Sequence, residues 1–337
     1  MTANSSSGPL YKNRKILVAG GTGLIGVPLV RQLLELGAAV TVAALEPVDR
    51  ALALFGDKIT YFQRDLTDMA TCLELTKDKD FVFNLVGIRG SVGIGQTKAA
   101  SFLVPMLNFQ TNLMEAAFRN AVDRFLFVSS VCAYPQSKLE KTEDTLWDGM
   151  PMQNDRIPGI AKRIGEIQGE AYMLEHGWDA VRVVRPSNVF GPHDDFNPAT
   201  AQVISALIHR AISGENPLTV WGDGSAVRDF MYSEDVAYWM IRALQELPPC
   251  TPVNLGSGQG TDIRTLVALI SDCLEEKPEV IWDSNAPTGD PVRVLSMDAA
   301  KQHLGYELRT PLSDAIAKTM AWYKEQPSNG PGNGGNG

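Results

Sequence analysis

The chain has 337 residues, with 30 Lys or Arg against 39 Asp or Glu, which gives a formal net charge of −9. This acidic balance argues against a nucleic-acid surface, because neutralising phosphates requires concentrated cations. No apolar run reaches the roughly 20 residues that a membrane helix needs. The length predicts two domains, or one large domain with a lobe built from insertions.

The four cysteines show no CxxC or other paired spacing; they are Cys72, Cys132, Cys250 and Cys273. The absence of paired spacing argues against both a disulfide framework and a zinc site, and it favours a reducing compartment. The first residues are polar and lack a signal-peptide pattern. We therefore expect a cytoplasmic protein without a metal.

Short apolar runs alternate with longer helical patterns through the first half of the chain. The predicted strands are 15–19, 39–43, 59–62, 81–86, 124–128 and 180–184. The helical patterns between them include 24–36, 99–120 and 160–176. Apolar strands that alternate with helices predict an α/β fold, a Rossmann doubly wound parallel sheet covered on both faces.

Beyond Arg185, frequent prolines and glycines break the sequence into shorter elements, which predict a smaller mixed α/β lobe. The expected Rossmann domain covers 14–185 and takes in about 230–255. The expected substrate-binding lobe covers 186–229 and 256–326. Both ends, 1–13 and 327–337, are polar and are expected to be disordered.

A glycine pattern directly follows the first predicted strand and opens a helix. Gly20, Gly23 and Gly26 have GxxGxxG spacing. In a dinucleotide site the first glycine permits the tight turn, the second permits close approach of the pyrophosphate, and the third permits close helix packing. The strand before it and the helix after it make the pattern specific. The same turn supplies three further candidates, Thr22, Leu24 and Ile25.

The adenosine end of this site is less clear. An acid at the end of the second strand favours NAD and an arginine favours NADP, yet this strand ends at Ala44, with Glu46 and Arg50 after it. Arg50 either meets a 2′-phosphate or is a solvated helix residue, so the cofactor is NADP or NAD, with a slight preference for NADP. Asp65, followed by Leu66, either binds the adenine amine or caps a helix.

Five further segments follow in a specific order: FVSSVCAYP at 127–135, RPSNVFGPH at 185–193, WGDGSAVRDF at 221–230, NLGSG at 254–258 and GDPVR at 289–293. With these motifs the chain resembles, over about residues 14–325, the extended short-chain dehydrogenase/reductase family of sugar-nucleotide epimerases, dehydratases and reductases. SSVCAYP and GPHDDF are most similar to the segments of GDP-L-fucose synthases and GDP-mannose 3,5-epimerases. The resemblance implies an NAD(P)-dependent enzyme with a GDP-sugar substrate.

Enzymes of this family exchange hydride between a nicotinamide and a sugar carbon, while a tyrosine and a lysine four residues later handle the proton. The resemblance implies Ser130 as the hydrogen-bonding serine and Lys162 as the lysine, which also binds the cofactor. It implies Cys132 as the acid or base of the 3,5-epimerising enzymes. We expect a nearby lysine to bring the pKa of this thiol close to neutral; the alternative is a small buried filler.

The chain departs from the family where its tyrosine is expected. Four residues before Lys162 stands Pro158, a residue that suits the first turn of a helix. The string from Tyr134 to Lys138 has YxxxK spacing, but a proline follows its tyrosine, so we expect a loop. Gln202 stands where the fucose-synthase pattern has a catalytic histidine, and glutamine does not titrate near pH 7.

Three hypotheses follow from these departures. In the first, the chain is an oxidoreductase with another proton partner: Lys162, Cys132, His193 or Asp194. In the second, it is an epimerase or dehydratase that relies on Cys132. In the third, it is a pseudoenzyme that binds cofactor and sugar nucleotide without turnover.

The resemblance also implies the substrate contacts. Arg228 and Arg293 match the family's diphosphate-binding basic residues, and guanidinium groups suit phosphate oxygens. Asn188 matches an asparagine near the sugar or its diphosphate, and Trp221 either covers the base or pyranose or belongs to the core. The remaining candidates are Arg89 and Ser91 in the glycine-rich loop 87–95, Ser130, and His193, whose alternative is a structural role.

Helices near 102–120 and 160–176 carry wide apolar faces. In the family the matching helices pair across a two-fold axis into a four-helix bundle, so the resemblance implies a homodimer. The alternative is that both faces only cover the sheet. The expected partners are therefore a nucleotide-sugar substrate and a second copy, with no nucleic acid and no membrane.

Overall fold

The computed structural model describes residues 8–88, 98–137, 139–286 and 290–326. The strands are β1 (Lys15–Ala19), β2 (Ala39–Ala44), β3 (Thr60–Gln63), β4 (Phe81–Asn84), β5 (Arg124–Val128), β6 (Val181–Pro186), β7 (Asn188–Phe190), β8 (Leu218–Trp221), β9 (Val227–Tyr232), β10 (Val253–Leu255), β11 (Gly260–Asp262), β12 (Val280–Asp283) and β13 (Val292–Arg293). The helices are α1 (Gly8–Tyr11), α2 (Gly26–Glu35), α3 (Val48–Phe55), α4 (Met69–Thr76), α5 (Ala99–Arg119), α6 (Arg156–His176), α7 (Val203–Ile212), α8 (Ser233–Glu246), α9 (Ile263–Asp272), α10 (Asp298–Leu304) and α11 (Leu312–Lys324).

A seven-stranded parallel sheet forms the large half of the molecule, in the order β3-β2-β1-β4-β5-β6-β10. The prediction of a Rossmann fold is confirmed. From β1 the strand order runs outward in both directions, so the carboxyl ends of β1 and β4 border the crevice where such sheets bind ligands. β1, β4 and β5 are buried on both faces, which explains their continuous apolar runs.

Helices cover both faces of this sheet. On one face α2 and α8 pack around Val27, Leu33 and Met240, and Gln32 of α2 donates to the carbonyl of Glu234 over 3.0 Å. On the other face α4, α5 and α6 enclose a second cluster. The described helices include none long and apolar enough to cross a membrane.

The start of the chain differs from the expectation of disorder through residue 13. Residues Gly8–Tyr11 form a helical turn, and Tyr11 is fully buried, with its hydroxyl donating to the carbonyl of Ile241 over 2.6 Å. A large aromatic ring thus anchors this segment to the core, because burying it stabilises the turn. Residues 1–7 and 327–337 lie outside the described ranges.

The smaller half is a mixed α/β lobe, as predicted. β9 pairs with β7, β11 and β13, and β8 pairs with β12. Its core includes Ile208 of α7, Leu266 of α9 and Ile316 of α11. The chain passes from β9 directly into α8 of the large half, so the lobe and the sheet are joined at Tyr232.

Candidate functional site

The glycine turn after β1 has the geometry that a dinucleotide needs. Gly20 has a φ of +79°, which favours glycine. A Cβ at Gly26 would lie 2.4 Å from the Gly20 carbonyl oxygen, so α2 packs directly on the turn. A Cβ at Gly23 would have its nearest neighbour at 3.6 Å. The turn is therefore tight at its ends and open at its middle, where an anion can approach the helix N-terminus.

A carboxylate closes the far side of this turn. The buried Thr22 donates its hydroxyl hydrogen bond to the Glu46 carboxylate over 2.9 Å. The Tyr61 hydroxyl donates to the backbone carbonyl of Glu46 over 2.6 Å. Sequence reasoning passed over Glu46 because it lies two residues beyond β2. The spacing of 20 residues from Gly26 matches the interval at which an acid meets the ribose, and that signal was available.

Three other residues were predicted at the adenosine end of the cofactor: Arg50, Asp65 and Leu66. Arg50 is exposed on α3. Asp65 is exposed, and its carboxylate accepts the Thr67 N–H over 2.9 Å. The alternative that Asp65 caps a helix is wrong, because Asp68 caps α4. Leu66 is buried in the core. Binding of adenine by Asp65 stays a prediction.

Lys162 lies on α6, one turn after Pro158, and its amine points back to the sheet. Its Nζ donates to the carbonyl of Val128 at the end of β5 over 2.8 Å. It also lies 5.4 Å from the centre of the Phe127 ring. Burial lowers the pKa of Lys162 from its usual 10.5 to about 8. The Lys162 amine therefore changes charge at a pH slightly above neutral.

Cys132 lies in a 3₁₀ turn directly after β5. Its N–H donates to the Oγ of Ser130 over 3.1 Å. Burial raises the pKa of the Cys132 thiol and Asp155 raises it further, while Arg293 opposes them. The expectation of a thiol pKa near neutral is therefore wrong: desolvation and a carboxylate outweigh the nearby cations.

The arginines expected at the diphosphate form a partly buried cluster with two carboxylates. Arg293 forms an ion pair with Asp155. Arg228 donates to the backbone carbonyl of Asp290, and the Lys141 amine lies 3.6 Å from the Asp290 carboxylate. Burial, and then repulsion from Arg293, lower the pKa of Arg228 to about 10. Mutual repulsion among these cations favours an anion between them.

Of four other residues singled out in the sequence, two have hydrogen-bond or packing partners and two are exposed. The Asn188 amide donates to the carbonyl of Asp229 over 2.9 Å. His193 packs edge-on against Trp322 at 4.8 Å, and burial lowers its pKa to about 4. Trp221 is 68% exposed at the end of β8, and Gln202 is exposed beside the start of α7. Arg89 and Ser91 lie outside the described residues.

The tyrosine of the YxxxK string is part of a buried network. The Tyr134 hydroxyl donates to Asn254 over 2.7 Å and accepts from Arg185 over 2.9 Å. Arg185 also forms an ion pair with Glu166 at 2.7 Å. Burial raises the pKa of Tyr134. Three of the sequence motifs therefore meet in a network that stabilises the edge of the sheet. The Tyr134 hydroxyl is occupied by these hydrogen bonds, so it does not fit the role of the catalytic tyrosine.

The fold and the glycine turn define a dinucleotide-binding α/β protein. Residues 16–256 match the NAD dependent epimerase/dehydratase family. The chain therefore belongs to this family.

Similar proteins share nearly the whole chain. It is 30% identical over 326 residues to GDP-L-fucose synthase 1 of Arabidopsis thaliana, covering 94% of this chain and 95% of the relative. It is 27% identical over 319 residues to GDP-mannose 3,5-epimerase of the same plant, with coverages of 94% and 83%. A UDP-glucose 4-epimerase of Thermotoga maritima, solved with UDP-glucose, has a TM-score of 0.81 and 25% identity, covering 92% of this chain and 98% of that one. These similarities agree with the resemblance inferred from the motifs.

Proposed function

We propose that this protein is an NAD(P)-dependent oxidoreductase or epimerase that acts on a nucleotide-activated sugar, with a GDP-sugar favoured. The observation that carries the proposal is a glycine turn shaped for a dinucleotide at the end of β1, together with Ser130, Cys132 and the Lys162 amine at the carboxyl end of β5 in the same parallel sheet. The names of the similar GDP-sugar enzymes support the choice of substrate.

The cofactor turn fits NADP or NAD on a structural ground: space is open at Gly23 and the N-terminus of α2 begins at Gly26. Gly20, Thr22, Gly23 and Lys162 would hold the cofactor, which supplies hydride exchange when bound. Ser130 would hydrogen-bond the sugar, and Arg228 and Arg293 would bind its diphosphate.

Proton handling in this proposal does not use a tyrosine. Pro158 occupies the first turn of α6, where the chain has no phenol to offer. Cys132 donates its N–H to Ser130, and the Lys162 amine hydrogen-bonds to Val128 at the end of the strand that precedes Ser130. We propose that these two groups exchange protons with the sugar. The first alternative is an epimerase or dehydratase that relies on Cys132.

The test is incubation with NAD(P) and a panel of GDP-, UDP-, CDP- and dTDP-sugars in heavy water. An absorbance change at 340 nm indicates net oxidation or reduction, and deuterium uptake without it indicates epimerisation. Binding of cofactor and sugar nucleotide in calorimetry with neither signal indicates the pseudoenzyme. Absence of binding by any NAD(P) form contradicts the proposal.

We also propose a homodimer through α5 and α6. Four apolar side chains of these helices are exposed: Val104, Ile164, Ile167 and Leu174. An exposed apolar patch of this kind is typical of an interface. Light scattering should give the mass of a dimer. Ile167→Glu should yield monomers, whereas Ile281→Glu, at an exposed position on β12, should not.

The four cysteines are free thiols, which supports the expected cytoplasmic location.

A further inference from the structure

Lys141 and Asp290 form a buried ion pair that the proposed function does not use. The Lys141 amine lies 3.6 Å from the Asp290 carboxylate, and the two side chains are 2% and 1% exposed. Among the residues that the structure describes, neither carboxylate oxygen of Asp290 has a hydrogen-bond partner. The amine also donates to the Pro135 carbonyl over 3.2 Å. Removing either partner of the pair would leave the other as an uncompensated buried charge.

The backbone of Lys141 is hydrogen-bonded to the segment that follows β13. Its N–H donates to the Val294 carbonyl over 2.9 Å, and its own carbonyl accepts from the Ser296 N–H over 3.0 Å. The same carbonyl accepts from the Asn254 amide over 2.9 Å. These bonds hold Lys141 next to β13, and Asp290 lies two residues before that strand, so the amine and the carboxylate are placed together by the fold.

Arg228 is a second cation beside Asp290. It is paired in register with Arg293 on the neighbouring parallel strands β9 and β13. Arg293 forms an ion pair with Asp155, whereas no ion pair within the described ranges joins Arg228 to a carboxylate. The Arg228 guanidinium instead donates to the backbone carbonyls of Val227, over 2.8 Å, and of Asp290. Its charge is therefore left uncompensated, although Asp290 holds its guanidinium through the backbone.

We propose that Lys141 is a positioning residue for Arg228: by pairing with the Asp290 carboxylate, it leaves the Arg228 guanidinium free for the diphosphate of a sugar nucleotide. This inference rests on the proposed function. A buried carboxylate needs a counter-ion, and Arg228 is already hydrogen-bonded to the Asp290 backbone. Without Lys141, the Asp290 carboxylate would pair with Arg228, and the diphosphate would lose one of its two arginines.

The charges of the cluster agree with this role. Lys141, Arg228 and Arg293 supply three positive charges, and Asp155 and Asp290 supply two negative ones. The pKa of Arg228 is about 10, so this group stays charged at neutral pH. With Lys141 the cluster therefore has an excess positive charge that attracts an anion, and without Lys141 its charges cancel.

The test is calorimetric titration of the full chain with GDP and with UDP, beside titration with NADP and NAD. Lys141→Met should weaken binding of the nucleoside diphosphate about tenfold, because a charged hydrogen-bond donor is withdrawn from it, and should leave cofactor affinity unchanged. The double variant Lys141→Met/Asp290→Asn removes both buried charges and should restore affinity to near the wild-type value. Lys277→Met, which removes an exposed lysine paired with Asp272 at 2.6 Å, is the matched control.

Turnover gives a second measurement. Lys141→Met should raise KM for the sugar nucleotide and leave kcat nearly unchanged, since the diphosphate contact is made equally in the ground state and the transition state. A Lys141 that only stabilises the fold would lower thermal stability without changing the affinity for GDP or UDP, and this result would overturn the inference.

The double variant also decides the case in which Lys141→Met fails to fold. It has no carboxylate left at residue 290 to pair with Arg228, so a loss of GDP and UDP affinity in this variant overturns the inference. A wild-type protein that binds neither nucleotide contradicts the proposed function and the inference with it. Equal binding by the wild type and Lys141→Met contradicts the inference alone.

Discussion

The cofactor turn (residues 20–26) and the Cys132 cluster (Ser130, Cys132, Asp155, Lys162 and Arg293) are built in opposite ways. The turn is one continuous segment, and its work is done by backbone shape and N–H groups. The cluster gathers side chains from the turn after β5, from α6 and the residue before it, and from β13. Added side-chain bulk should therefore impair the turn, whereas removal of a charged or titratable group should impair the cluster.

The largest expected effect falls on the cluster. Cys132→Ser and Lys162→Met should each lower kcat by about 10² to 10⁴, the range for loss of an acid or base. Steady-state turnover on the sugar nucleotide found by the panel measures this. Lys301→Met, which removes an exposed lysine on α10, is the matched control. Full activity in both Cys132→Ser and Lys162→Met would show that proton transfer uses other groups.

The turn should respond to added bulk. Gly26→Ala places a Cβ 2.4 Å from backbone that cannot shift easily, so the free energy of unfolding in urea should fall by about 1–3 kcal/mol. Gly23→Ala, where the nearest atom is 3.6 Å away, should keep its stability and lose only cofactor affinity. Equal destabilisation of the two variants would mean that packing does not distinguish these glycines.

The same contrast decides what could be predicted from sequence. The sheet, its helices and the glycine turn follow from local period and spacing, and the structure bears out the fold. Asp155 was missed because its ion-pair partner, Arg293, lies 138 residues further along the chain. The expected acidic thiol was wrong because desolvation by the surrounding fold cannot be seen in the sequence. Glu46 lay outside the expected place by two residues, a shift within the uncertainty of strand ends.

The pH dependence of stability sharpens the role of Lys162. Its pKa is about 8 in the folded protein and 10.5 ordinarily, so between these values the unfolded chain binds more protons. The contribution of Lys162 to stability should therefore stay flat below pH 8 and rise by about 3 kcal/mol between pH 8 and 10.5, since each pKa unit corresponds to about 1.4 kcal/mol. Urea unfolding of wild type and Lys162→Met across this range isolates the effect, because other titrating groups cancel in the difference. A constant difference would place the amine in solvent.

The smallest expected effect lies at the far end of the turn, where charge enters a backbone site. Glu46 accepts the Thr22 hydrogen bond, so its carboxylate lies beside the segment that would meet the ribose, and a 2′-phosphate there would be repelled. Two unit charges about 4 Å apart in water interact by about 1 kcal/mol. Glu46→Gln should therefore raise NADP affinity relative to NAD about fivefold, and Arg50→Gln, which removes the exposed cation of α3, should lower it. Calorimetric titration with both cofactors gives the two ratios. If Glu46→Gln leaves the ratio of NADP to NAD affinity unchanged and only Arg50→Gln alters it, Arg50 determines the choice of cofactor. The Glu46 carboxylate would then serve only to hold Thr22 in place.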